Sequence, residues 1–132
     1  MADDLDKIPD HSSLLRRIHP NHVIGEPGAR RLSSAAFKDP NMSVDVENML
    51  EASGKDWNFS LRAHPQHWLV RLTAVLMRQN GQSIEHKPVP ADPANPLAEN
   101  PAHAEVAGKK TGAISNAFRH AAIWVKKPAD VT

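Results

Sequence analysis

Apolar positions along this chain fall into short, unevenly spaced groups, and one group near the C-terminus keeps a helical period. Ile114, Ala117, Phe118, Ala121, Trp124 and Val125 recur at steps suited to one helix face, while Asn116, Arg119 and His120 fall elsewhere. Thr111 is a suitable N-cap, since its hydroxyl can accept a bond from an early free amide. Lys126 and Lys127 stand where cations complement the helix dipole, and Pro128 lies just beyond. The pattern predicts a helix over about 111–126.

The remaining groups are shorter. Trp68 to Met77 is the most apolar run; its alternation over Trp68, Val70 and Leu72 suggests a strand, and 73–79 can continue as helix to the Asn80-Gly81 stop. One buried element of either type also fits that run. Residues 83–89 make an edge strand at best, because Pro88 and Pro90 cannot donate to a ladder. Leu32 to Lys38 has strand length, with Phe37 as its large anchor, and Asp39-Pro40-Asn41 signals a turn. Over 42–52 the positions Val44, Val46, Met49 and Leu50, with Ser43 as a cap and Gly54 as a stop, favour a short helix over a strand. Ser12 to Ile18 is too short to type, residues 57–67 are irregular, and 88–101, with five of the eleven prolines, reads as an ordered extended loop. The sum is a single α+β domain: a small sheet of short strands with a C-terminal helix packed on one face. Its expected limits are 12–127, with an acidic flexible leader over 1–11 and a tail over 128–132.

Length and charge narrow the functional classes. One domain of 132 residues can bury one modest core. Sixteen basic against fifteen acidic residues leave a net charge of +1, so no global field draws the chain to nucleic acid or membrane. The absence of cysteine excludes disulfides, thiolate catalysis and cysteine zinc sites. No signal-peptide pattern opens the sequence, and no apolar run approaches the roughly 20 residues of a membrane span, so a cytoplasmic location is expected.

Candidate chemistry is scattered. Basic residues come in pairs, Arg16-Arg17, Arg30-Arg31, Lys109-Lys110 and Lys126-Lys127, and a fold that gathers them would create an anion-binding patch. Gly108-Lys109-Lys110-Thr111 resembles the tail of a phosphate-binding loop, but His103 stands where the first glycine should be, which rejects a nucleotide hydrolase. What survives is an anion site at Lys109, Lys110 and Thr111, where free amides at a helix start lie beside two cations. In a strand over 102–107, His103 and Glu105 share a face and can do acid–base work, while Ala104 and Val106 face the other way. Two tetrads, His19-Pro-Asn-His22 and His64-Pro-Gln-His67, place imidazoles three apart; two such can meet one metal and four could complete a tetrahedral shell, but loop histidines are the commoner role, so no metal is assigned. Ser33 and Ser34 lie outside any nucleophile-elbow motif.

The segments Leu14-Leu-Arg-Arg-Ile18, Ser33-Ser-Ala-Ala-Phe37, Met42-Ser-Val-Asp45 and Asn100-Pro-Ala-His-Ala-Glu105 together resemble a group of small bacterial proteins of unassigned activity. A looser resemblance is to compact ADP-ribosyltransferase-like domains of the RES type, which implies NAD held by an early arginine, Arg16 or Arg17, and by Ser33 or Ser34. The chain departs from that pattern in having no tyrosine and no Gln/Glu-X-Glu signature. Two functions are carried forward. The first is a non-catalytic interaction module working with a larger protein partner, which the bacterial resemblance would associate with defence or toxin systems. The alternative is an enzyme acting on NAD or another nucleotide through Arg17, Ser34 and His103. A phosphate-bearing ligand is compatible with both.

Overall fold

The computed structural model describes residues 8–131. They form eight strands: β1 Ser13–Ile18, β2 Val23–Ile24, β3 Arg31–Leu32, β4 Asn41–Val46, β5 Trp68–Thr73, β6 Ser83–His86, β7 His103–Ala107 and β8 Ile123–Lys126. Three α-helices accompany them, α1 Glu47–Ala52, α2 Ala74–Gln79 and α3 Gly112–Ala121, with short 3-10 turns at Pro20–His22, Ser34–Phe37 and Trp57–Leu61. Six strands make one antiparallel sheet in the order β6-β7-β4-β1-β5-β8, and β2 pairs with β3 separately. The α+β expectation holds, and α3 packs on one face as foreseen.

Strand alternation divides the apolar residues between two faces. On one side Leu14, Ile18, Met42, Val44, Val46, Val70, Leu72, Ile84, Ala104 and Val106 join Phe37 and Phe118 in the larger core. The two phenyl rings meet edge to face at 6.5 Å, fastening α3 to the 34–37 turn. On the other side a smaller cluster of Leu15, Leu50, Leu61, Leu69 and Ala102 seats α1 and the 57–61 turn over only part of the sheet. The remainder of that face is polar.

Several local expectations are corrected. Residues 42–52 are strand first: Met42, Val44 and Val46 alternate into the core, and the helix begins only at Glu47, so Ser43 caps nothing. The 32–38 stretch is not a strand beyond Leu32; Ser33 accepts from the Ala35 amide and starts a 3-10 turn that delivers Phe37 inward. The C-terminal helix stops at Ala121. Ala122 turns to extended backbone, and Ile123, Trp124 and Val125, β-branched or aromatic, form an edge strand beside β5. The strand-to-helix reading of 68–79 is correct, with Thr73 as the cap, and 83–86 is an edge strand.

Both ends of the described chain are fastened. Ile8 is buried, and Arg78 bonds its carbonyl and the Asp10 carboxylate, so the part of the leader from residue 8 onward belongs to the fold. Residues 1–7 lie outside the described residues. At the other end Asp130 takes a two-pronged bond from Arg30, both at 2.7 Å, and Val131 is buried, so 128–131 is not a loose tail. Gly108 ends β7 at φ 146°, where a Cβ would sit 2.8 Å from the Gln82 Oε1, so both backbone and space require glycine.

Candidate functional site

The centre of the sheet is split. β1 pairs with β5 through all six of its residues but with β4 only at Leu14↔Val46 and Leu15↔Asp45. Past that point the two strands part, and Arg16 reaches across to the Ser43 carbonyl at 3.0 Å and the Ala36 carbonyl at 3.1 Å. On the polar face, beside this opening, lies a cavity of about 240 Å³ walled by residues that include Arg17, Ser43, Asp45, Arg62, Asn100 and His103.

Asp45 forms its floor. The residue is 9% exposed, and its two oxygens accept from Ser60 Oγ at 2.6 Å and Asn100 Nδ2 at 2.7 Å. Asn100 in turn accepts from the Ala102 amide, which fixes the bend that leads into β7. Arg62 donates to the carbonyls of Phe59, Leu97 and Glu99, binding the proline-rich loop to the rim. Burial lowers the Arg62 pKa, Asp45 partly offsets this, and the group remains a cation near pH 7. Arg17 is different. It is exposed, lines the cavity, and makes no hydrogen bond or ion pair among the described residues.

His103 stands opposite Asp45 in the β4–β7 register. Its Nδ1 lies 2.8 Å from the Lys87 carbonyl, which can only accept, so Nδ1 carries the proton. Its Nε2 is thereby left as the acceptor in the neutral ring, 3.3 Å from Ser43 Oγ. Glu105 shares the His103 face as expected, but it pairs with Lys87 at 3.1 Å. The side chain that meets His103 is therefore Ser43 and not Glu105.

The residues singled out from sequence are only partly gathered. Arg17 and His103 wall the same cavity. Ser34 does not join them: it begins the 3-10 turn and lines a separate depression with Arg31, Asn116 and Arg119. Arg16 lies mainly on the larger-core side and serves structure. Lys109, Lys110 and Thr111 are also apart from the cavity. Lys110 donates to the carbonyls of Val106 and Gly108, burial lowers its pKa, and the Thr111 hydroxyl accepts from the Ile114 amide. Lys109 and Thr111 are exposed, and Lys109 is the exposed cation of the three.

The same division runs through every dibasic pair. Arg16, Arg30, Lys110 and Lys126 are bonded to carbonyls or to a carboxylate, while Arg17, Arg31, Lys109 and Lys127 are exposed. The two histidine tetrads meet in space. His64 stacks on His67 at 4.6 Å, His19 touches His67 at 4.9 Å, and His22 lies 6.3 Å from His19. Their donor atoms do not converge, and no group of three metal-ligating side chains suited to one ion occurs among the described residues. Burial first, then His64, Arg17, His19 and Lys126, lower the His67 pKa, and its Nδ1 is buried without a partner.

Ser43, Asp45, Ser60, Arg62 and Asn100 were not singled out as site residues from sequence. A signal existed for two of them: Ser43 and Asp45 are two apart, like His103 and Glu105, and would share a face once 41–46 was read as strand. No family model matches the chain, and comparison with curated proteins and with solved structures gives no significant match. No helix among the described residues is long and apolar enough to cross a membrane.

Proposed function

We propose that this chain is a cytoplasmic binding module whose cavity takes an anionic, phosphate-bearing group. The carrying observation is the charge around the cavity: two guanidinium groups, from Arg17 and Arg62, face one carboxylate, and that carboxylate is already held by Ser60 and Asn100. Arg17 is the cation of the cavity with no partner among the described residues, and a guanidinium can grip phosphate or carboxylate oxygens in a two-pronged fashion. The anion can be presented by a larger protein partner, in keeping with an interaction module, or by a free nucleotide.

A second reading, an enzyme acting on NAD or a nucleotide, is favoured by one observation: Arg17 and His103, named together from sequence, line one cavity. The third member of that set, Ser34, has no part in it, and Ser43 stands in its place beside His103.

The test is an amide-shift titration with inorganic phosphate and then with ADP. Shifts centred on Arg17, Ser43 and His103, lost in Arg17→Ala and weakened by salt, support the cavity. Shifts confined to Lys109–Ile114, or none, reject it.

A further inference from the structure

We propose that Ser43 is a nucleophile activated by His103, and that the group it attacks is the phosphorus of a phosphoanhydride. The choice of substrate class rests on the anionic-ligand reading above; the reactivity of Ser43 does not.

A backbone carbonyl cannot donate, so the 2.8 Å contact from Lys87 fixes the proton on Nδ1 and leaves Nε2 with a lone pair. That lone pair lies 3.3 Å from Ser43 Oγ, a separation within what is seen before a substrate tightens such a bond. Nucleophile, base and the group that orients the base are thus in series, the arrangement by which a weak hydroxyl is activated. Three independent pieces of backbone hold it. Ser43 is in β4, His103 is in β7, whose register with β4 is continuous, and Lys87 donates its amide to the His103 carbonyl at 2.9 Å, which secures the carbonyl–imidazole contact from the other side. Both reacting groups open into the cavity that Arg17 and Arg62 line, so negative charge developing on phosphoryl oxygens would meet two cations, of which Arg62 is held in place by carbonyls.

The step balances as follows. The Oγ–P bond forms as the bridging P–O bond breaks, the electron pair leaves with the departing phosphate, and the Ser43 proton moves to Nε2. The imidazolium then returns that proton to the leaving phosphate or to water. A seryl phosphoester remains on the protein, open to hydrolysis by water.

The experiment uses a neutral dialkyl fluorophosphate, which forms the same Oγ–P bond with loss of fluoride and does not depend on anion binding. Intact mass and peptide mapping on the full chain are expected to show one adduct, on Ser43. Ser43→Ala should abolish it, Ser34→Ala should leave it unchanged, and His103→Gln should slow it by about 100-fold, the lower end of what a positioned base contributes. Ser43→Cys, which keeps a nucleophile in place, is expected to label as well. Absence of an adduct in wild type, an adduct elsewhere, or an unchanged rate in folded His103→Gln overturns the proposal. Labelling of Ser43 without any phosphate-induced amide shift would keep the nucleophile and discard the anion reading.

Discussion

The two faces of the sheet are built from the same strands yet are put to different uses. One is apolar along its length and is closed by Phe37, Phe118 and the residues around them. The other is apolar only where α1 and the 57–61 turn cover it, and beyond them Arg17, Ser43 and His103 line the cavity over the buried Asp45. Because side chains alternate, the core residues Met42, Val44, Val46 and Ala104 each sit next to a residue that lines the cavity. Stability and chemistry therefore share strands but hardly share side chains, and substitutions on the two faces should separate cleanly.

The largest effect is expected on the closed face. Phe118→Ala removes a fully buried ring and should cost about 3–5 kcal/mol in a urea titration. Next comes the cavity floor. Asp45→Ala leaves the Ser60 hydroxyl and the Asn100 amide without their acceptor, which should cost about 1–3 kcal/mol and loosen the 88–101 loop, read as new protease cuts there.

A third prediction concerns pH. His67 and His22 are held below the ordinary 6.5, chiefly by burial, with His64, Arg17, His19 and Lys126 opposing charge on His67 and Arg16 and His19 opposing it on His22. A depressed histidine means that the unfolded chain binds the proton more tightly. The stability they contribute is thus full above pH 6.5 and erodes as pH falls through 6.5 toward the folded-state values. The urea midpoint should drop between pH 7.5 and pH 5, and His67→Gln should flatten that slope. An acid limb unchanged by the substitution would mean the histidines are not its source.

The smallest effect on stability is expected at Arg17. Arg17→Ala should change the unfolding free energy from a urea titration by no more than about 0.5 kcal/mol while abolishing phosphate-induced shifts. The paired comparison is Lys109→Glu with Lys110→Glu. If the cavity is the anion site, that double variant keeps the shifts that Arg17→Ala loses. If phosphate instead binds at the start of α3, the pattern reverses.

The class of fold could be read from the chain because α3, β5 and β7 each carry their own period: Phe118 and Ile114 on one helix face, Trp68, Val70 and Leu72 in alternation, Ala104 and Val106 opposite His103. A strand that runs directly into a helix was harder. Val44, Val46, Met49 and Leu50 satisfy a helical spacing, yet they belong to the end of a strand and the start of a helix, and the boundary at Glu47 leaves no mark in the pattern. The site suffered from that error, since Ser43 and Asp45 reach the polar face only if 41–46 is extended. Ser34 shows the opposite limit. In sequence it is the candidate and Ser43 only a helix cap, and the pairing of β4 with β7 is what sets Ser43 beside His103.

The strand order also says something about how the molecule must assemble. β1, the first strand in the chain, lies inside the sheet, but its full-length neighbour β5 begins fifty residues later, and β4 waits still longer for β7. Every interior pairing closes a long loop before any contact rewards it, so folding should be slow for the chain's size, nearer roughly milliseconds to seconds than microseconds. Until β7 is made, β4 is an unpaired edge rich in valine, and the split beside β1 leaves part of its other edge open too. A nascent or heat-stressed chain is therefore most vulnerable to self-association along β4, the strand that carries the serine of the site.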